Sequence, residues 1–431
     1  MTATLPPITV PGDKSIAHRA LMLAALAQGV SRLRNVPAGL DVRSTQRALR
    51  ALGVILRPAQ DDSGGEARVD NGADEIVVHG SGGALVAPEA PIDCGNSGTT
   101  IRLLAGLLAT RGLTVTLDGD GSLRARPMRR IATPLAAFGT RIELAPGGTA
   151  PFVVRGNAHA RGADVEITVP SAQVKSAVLF AALGAHGRSR VTGELATRDH
   201  TERLFDAFGI ACTAGEGGAL VIDGPQTPHA AEFSVPGDVS SAAFLLAAAA
   251  AVPGAQAVID DVGLNPTRIA FFDVLRRFGA DVEVHASEGG PEPRGRVAVR
   301  GAALDAIVVE PADVPGLIDE LPLIGVLGAF ARGTTIVSGA AELRLKESDR
   351  IETFARAARA IGVELETFAD GFAVHGPARF HDGDIITAGD HRIAMAFAVA
   401  GRAAGISVRL DDPECVAVSF PNFAAALDRV A

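Results

Sequence analysis

Val10-Pro-Gly-Asp-Lys-Ser-Ile-Ala-His-Arg19, followed directly by Ala20-Leu-Met-Leu-Ala-Ala-Leu26, recurs in altered form along the chain and sets its architecture. A tight polar turn opens a helix built of small and apolar residues. A helix that is apolar on all sides is buried on all sides. Its first amide groups lack intrahelical partners, so they are left to meet a ligand, and they favour an anion. Lys14 and Arg19 stand at that same end.

Similar starts open at Asp93-Cys-Gly-Asn-Ser-Gly-Thr-Thr100, Pro170-Ser-Ala-Gln-Val-Lys175 and Pro236-Gly-Asp-Val-Ser-Ser241. Two more open at Asp319-Glu-Leu-Pro322 and Gly389-Asp-His-Arg392. After each start a second, amphipathic helix runs into a strand. The tails read Leu52-Gly-Val-Ile-Leu56, Phe138-Gly-Thr-Arg-Ile142, Phe208-Gly-Ile-Ala-Cys212, Phe278-Gly-Ala-Asp-Val282 and Ile361-Gly-Val-Glu-Leu365. The glycine suits a helix C-cap and the residues after it a strand. The sixth copy ends with its second helix, expected over Phe423–Val430. Self-similarity at such a spacing is the mark of a repeat architecture.

Strands alternating with helices predict an α/β class, as α+β repeats of compact βαβ-type units. The Ala-rich helices allow close approach, so they are expected inside, with the sheets outside. Val235-Pro-Gly-Asp-Val-Ser240 echoes Val10-Pro-Gly-Asp-Lys-Ser15 and marks a boundary between two domains of three units each. The first is expected over 13–234. The second takes 1–12 plus 235–431, with a hinge at 10–13 and 234–238 and the active site in the cleft. Residues 1–12 read as an edge strand. The polar segment between Leu56 and Pro91 reads as a surface hairpin carrying one strand, Glu75–His79.

The 431 residues suffice for two or three domains with real cores, and 47% apolar with 21% charged residues is ordinary for a globular protein. A net charge of -9 argues against a nucleic-acid or anionic-membrane surface. Neither a signal peptide nor a membrane span is legible, and Cys94, Cys212 and Cys415 are far apart, so a reducing cytoplasm is expected. Among 40 basic residues only Lys14, Lys175 and Lys346 are lysine. Either chance left them, or a compact, titratable ammonium is needed where a guanidinium will not serve.

The cations near the starts are Lys14, Arg19, Arg102, Arg126, Lys175, Arg198, Lys346, Arg350 and Arg392. In an acidic chain that concentration points to a site for more than one phosphate or carboxylate. Asp319 and Glu347, set among cations, suit either proton transfer or, for Asp319, helix capping. Asp349 has the bland reading of orienting Arg350. His18, His200 and His391 each adjoin an arginine. Without His-x-x-x-His or Cys-x-x-Cys pairs, no metal is expected. No Gly-Lys pair, Gly-x-Gly-x-x-Gly or Gly-x-Ser-x-Gly is present, which disfavours nucleotide loops and a serine-hydrolase elbow.

Pro11–Arg19, Gly95–Arg102, Arg126–Met128 and Ser171–Ser176 together resemble motifs of the 5-enolpyruvylshikimate-3-phosphate synthases, enolpyruvyl transferases also called 3-phosphoshikimate 1-carboxyvinyltransferases. So do Arg198-Asp-His-Thr-Glu202, Leu345–Arg350 and Asp390–Met395. The resemblance implies two inside-out, barrel-like α/β domains closing over shikimate 3-phosphate and phosphoenolpyruvate, a cytoplasmic monomer, and no metal or organic cofactor. It also implies sensitivity to the phosphonate glyphosate.

By the same resemblance Lys14, Ser15, Arg19, Ser171, Ala172, Gln173, Thr197, Arg198, Asp319 and Lys346 would hold shikimate 3-phosphate. Lys14, Asn96, Gly98, Arg126, Gln173, Arg350 and Arg392 would hold phosphoenolpyruvate. Asp319 would be the base toward the 5-hydroxyl, while Glu347, with Lys14, would manage the methylene proton. Ala17, Ala172, His200 and Val418 depart from the pattern. Val418 replaces a lysine that one branch uses toward phosphoenolpyruvate. A transferase acting on UDP-N-acetylglucosamine would be expected to show Lys-Asn in the first motif and a cysteine within Asp118–Arg126, and this chain shows neither. An RNA-end cyclase shares the repeat type but suits an acidic chain without Trp or Tyr poorly.

Overall fold

Each expected start opens a helix whose residues are buried almost end to end. These helices run Lys14–Leu26, Gly98–Leu108, Ala172–Gly184, Val239–Ala250, Leu321–Phe330 and His391–Ala404 in a computed structural model that describes residues 6–59, 74–287 and 289–430. Asp13, Ser97, Ser171, Asp238 and Asp390 cap five of them with side-chain oxygens, as short polar residues do at helix starts. The second helices bury one face only. Ala270–Phe278 turns Phe271, Phe272, Val274, Leu275 and Phe278 inward, at the three-to-four spacing of an amphipathic helix. Gly139 and Gly279 leave such helices at φ 73° and 104°, the left-handed cap that the tails predict. The last helix is shorter than expected, Phe423–Leu427.

The chain divides into an N-terminal unit, Gly12–Val235 with Gly290–Glu292, and a C-terminal unit, Met1–Pro11, Pro236–Gly289 and Pro293–Ala431. Within each, one apolar core surrounds the buried helices. Strands such as Thr149–Arg155 and Arg294–Arg300 alternate buried and solvent-facing residues, which puts the sheets around the helices.

One sheet order recurs. In the second repeat it is Ile92–Asp93, Thr114–Asp118, Thr149–Arg155, Arg141–Ala145, with the first pair parallel and the others antiparallel. The third repeat follows it with Asp164–Ile167, Gly187–Gly193, Leu220–Gly224 and Thr213–Ala214. In the first repeat the leading strand comes from the far end of the unit. Glu232–Ser234 pairs in parallel with Val30–Val36 (Arg32 opposite Glu232), and Asp74–His79 and Ile55–Pro58 complete the sheet. The expected strand at 75–79 is thus present, while 60–73 of that hairpin lie outside the described residues. The expected edge strand at 1–12 is reduced among the described residues to isolated bridges, one of them joining Ile8 to Ile259, and residues 1–5 lie outside the described residues. The sixth repeat keeps two paired strands, Gly383–Ile385 and Val408–Leu410.

The Val-Pro-Gly echo has a structural basis. The strand Val30–Val36 bulges between Leu33 and Val36, and a Cβ on Gly12 would lie 2.0 Å from Asn35 O. In the fourth repeat the strand Gln256–Gly263 bulges between Ile259 and Val262, and Gly237 donates its amide to Asp261 O at 2.7 Å. Each turn is pressed against a bulge, and that contact aims the helix that follows.

Candidate active site

In the N-terminal unit three helix starts meet through polar contacts. Asp13 accepts from Ser15 N (2.7 Å) and Ile16 N (3.2 Å), which fixes the first turn of Lys14–Leu26. Lys14 Nζ reaches Asp41 Oδ2 at 2.8 Å. Thr100 of the next core helix donates through Oγ1 to Asp41 O at 3.4 Å. Arg19, 2% exposed, is held on every side: Nε donates to Thr201 Oγ1 (2.8 Å), one terminal nitrogen to Ser15 O (2.7 Å) and the other to Ser176 Oγ (2.8 Å). Burial lowers its guanidinium pKa to about 10, with Glu202 opposing and the like charge of Arg198 adding to the fall.

The start of Gly98–Leu108 is crowded by cations. A Cβ on Gly98 would lie 2.9 Å from a terminal nitrogen of Arg126 and 3.0 Å from one of Arg102. Arg126 donates to Asn96 Oδ1, whose amide nitrogen donates to Asp120 at 2.9 Å. Arg102 donates to Gln173 Oε1 at 2.6 Å, and Gln173 Nε2 donates to Thr99 Oγ1 at 2.9 Å. Both ends of the Gln173 amide are therefore fixed. Ser171 caps its helix through Val174 N at 3.4 Å, with Ala172 the first helical residue. Behind these groups His18, fully buried, bonds through Nδ1 to Thr45 Oγ1, which continues to Thr100 and Ser97. Burial drives the imidazole pKa down to about 4, so at neutral pH this ring is an uncharged strut.

Lys175 is a correction. It is 1% exposed, and Glu202 Oε1 (2.7 Å), Leu195 O (3.2 Å) and Thr197 O (3.3 Å) surround its nitrogen. It does not belong with the ligand-facing cations. His200 likewise pairs through Nδ1 with Glu292 at 2.7 Å, both 1% exposed.

In the C-terminal unit two arginines converge on Asp319. Arg350, 1% exposed, lies 3.6 Å from Asp319, binds Asp390 Oδ2 through Nε at 2.8 Å, and pairs with Glu347. Burial works against its charge, but Asp390, Glu347 and Asp319 outweigh it and hold the guanidinium well above its ordinary pKa. Arg392 donates to Asp319 O at 3.1 Å and stands 3.6 Å from its carboxylate. Lys346 is partly covered, and burial lowers its amine pKa, with Asp319 opposing and Arg350 adding. Of the two roles open to Asp319, capping has no support, since the helix Leu321–Phe330 has no side-chain cap and begins after Glu320. Asp349 does not orient Arg350; it caps its own helix and pairs with Arg344 at 2.6 Å. Val418 lies in a short helical turn, Pro413–Val418.

Sequence reasoning missed Asp41, Glu202 and Glu320. Glu320 is buried, bonded by Ser240 and 3.8 Å from Arg392, and burial pushes its carboxyl pKa up. In sequence Asp41 and Glu202 look like first-turn acids of surface helices, and only folding shows which lysine each one meets. Among the described residues no group of three or more His, Cys, Asp or Glu could hold a metal ion, and no helix is long and apolar enough to cross a membrane.

A family model described as EPSP synthase (3-phosphoshikimate 1-carboxyvinyltransferase) matches residues 6–427. A protein of Alkalilimnicola ehrlichii named 3-phosphoshikimate 1-carboxyvinyltransferase is 44% identical over 417 residues, 96% of this chain and 91% of its own. One of the same name from Xanthomonas axonopodis pv. citri is 45% identical over 425 residues, 98% of this chain and 93% of its own. The solved EPSP synthase of Acinetobacter baumannii is similar with a TM-score of 0.83 at 37% identity, covering 99% of this chain and 95% of that one. The enolpyruvyl transferase NikO of Streptomyces tendae, with a TM-score of 0.74 at 17% identity, shares the fold.

Proposed function

The chain belongs to the EPSP synthase family, and from that premise we propose how its residues share out the reaction. The enzyme transfers the enolpyruvyl group of phosphoenolpyruvate to the 5-hydroxyl of shikimate 3-phosphate and releases phosphate, a step of the shikimate pathway to the aromatic amino acids. Ser15, Arg19, Ser171, Ala172, Gln173, Thr197 and Arg198 hold shikimate 3-phosphate from the N-terminal unit, with Asp319 and Lys346 from the C-terminal one. Asn96, Gly98, Arg126 and Gln173, with Arg350 and Arg392, hold phosphoenolpyruvate, and Lys14 serves both substrates.

Asp319 takes the 5-hydroxyl proton as the oxygen adds to the enol carbon. Arg350 and Arg392 each stand 3.6 Å from this carboxylate and hold it in place. Glu347, with Lys14, delivers a proton to the methylene carbon and removes one again as the carbon–phosphate oxygen bond breaks, and the released phosphate carries away the proton taken by Asp319. Arg126 and Arg350 stabilise the negative charge carried through both steps.

What supports this reading is the set of buried cations in or beside helix starts, Arg19, Arg102 and Arg126 in one unit and Arg350 and Arg392 in the other, in a chain of net charge -9. One chain supplies every residue assigned, so a monomer is the proposed working form. Three free cysteines suit the cytoplasm. Phosphate release measured with both substrates together and with each alone tests the function. Release that needs both is expected, and release from phosphoenolpyruvate alone would overturn the reading.

A further inference from the structure

Lys14 and Lys346 stand among the residues assigned to substrate, and Lys175 does not, yet Lys175 is the most completely engaged lysine of the three. An ammonium has three N–H donors and no acceptor. Around Lys175 Nζ stand three acceptors: Glu202 Oε1 at 2.7 Å, Leu195 O at 3.2 Å and Thr197 O at 3.3 Å. At 1% exposure neither water nor a ligand has a further donor to use.

Two of those acceptors belong to the loop between the strand Gly187–Gly193 and the helix His200–Ala207. Leu195 O also accepts from Thr197 N at 2.7 Å, so the loop folds on itself and gathers its carbonyls on the lysine. The third acceptor, Glu202, lies in the first turn of the helix that follows. Lysine thereby ties the helix carrying Gln173 to both ends of the segment carrying Thr197 and Arg198. The charge of Arg198 acts on Arg19, whose neighbour Thr201 directly precedes Glu202. Thr197 Oγ1 is buried with no hydrogen-bond partner among the described residues. A buried hydroxyl without a partner is costly unless something else completes it. That hydroxyl and the guanidinium of the next residue, Arg198, are groups that an anionic phosphate group satisfies.

We propose that Lys175 is a positioning residue that pins the 195–198 loop so that Thr197 and Arg198 stand beside Arg19 and grip the phosphate group of shikimate 3-phosphate. This rests on the function proposed above. Arginine cannot replace it, because a planar fork brings five donors to a place with three acceptors.

The test compares wild type with Lys175→Met, Lys175→Arg and Glu202→Gln, using phosphate release at varied concentrations of each substrate and calorimetric binding of shikimate 3-phosphate. Lys175→Met is expected to raise KM for shikimate 3-phosphate by about tenfold or more while KM for phosphoenolpyruvate changes by less than about twofold. Lys175→Arg should follow Lys175→Met, and Glu202→Gln should show the same selectivity at about three- to fivefold. Rises that are equal for both substrates, or a shikimate 3-phosphate KM left within about twofold, overturn the proposal. If Lys175→Met does not fold, Glu202→Gln decides by the same criterion. A wild type that neither turns over nor binds shikimate 3-phosphate overturns the function and the proposal together. A normal wild type with unselective variants overturns only the role of Lys175.

Discussion

At the scale of single residues, buried charge and its partners dominate. His18 is neutral in the folded chain with a pKa near 4, against an ordinary value of 6.5. Its folded pKa is depressed, so the unfolded chain binds the extra proton, and stability falls as pH drops from about 6.5 toward 4. The loss between pH 7 and pH 5 is about 2 kcal/mol. Urea unfolding at the two pH values should show His18→Gln losing that part of the slope; an unchanged slope would assign it to other groups. Lys14→Arg and Lys346→Arg should each remove most activity and leave melting unchanged. The ammonium of Lys14 meets a single carboxylate, Asp41, at 2.8 Å, and a planar fork does not present the same point charge. Near-normal turnover in both variants would contradict this. The rarity of lysine was legible in the sequence, and so was the gathering of cations near the helix starts. The difference between Lys175 and the other two was not, because it depends on Leu195 and Thr197 carbonyls about twenty residues away along the chain.

Between elements, close approach of backbones decides what is tolerated. Gly106 packs the helix Gly98–Leu108 against Ala172–Gly184 so tightly that a Cβ would lie 2.1 Å from Ala177 O and 2.5 Å from its Cα. Both atoms are backbone and neither can step aside. Gly106→Ala should cost about 1–3 kcal/mol or more and lower Tm by several degrees, read by calorimetry. Gly98→Ala differs in kind, since the atoms in the way are the ends of Arg126 and Arg102, which can move. Melting should change little, while the shift of both guanidiniums should weaken glyphosate by roughly 5- to 150-fold, the equivalent of about 1–3 kcal/mol. Inhibition of wild type and variant at fixed phosphoenolpyruvate measures it, and equal inhibition would refute the role given to Gly98. The repeat period, the helix starts and the Gly caps were legible because each is local. The order of strands was not: nothing near Val30–Val36 announces that its parallel neighbour is Glu232–Ser234.

For the molecule as a whole, that pairing makes the N-terminal unit close on itself. A fragment spanning 12–235 should therefore fold cooperatively, though less stably than in the full chain because His200 loses Glu292. A fragment ending at 228 should melt lower and aggregate, since it leaves Val30–Val36 as an open edge. Circular dichroism melts of the two fragments, with light scattering, would show the difference, and equal behaviour would mean the closing strand is dispensable. The same pairing bears on how the protein is made. Arg32 leaves the ribosome some 200 residues before Glu232, its partner. At roughly 5–20 residues per second the first sheet to be synthesised waits on the order of 10–40 s for its last strand. Throughout that interval a chaperone, or a neighbouring nascent chain, has the same unpaired edge to bind.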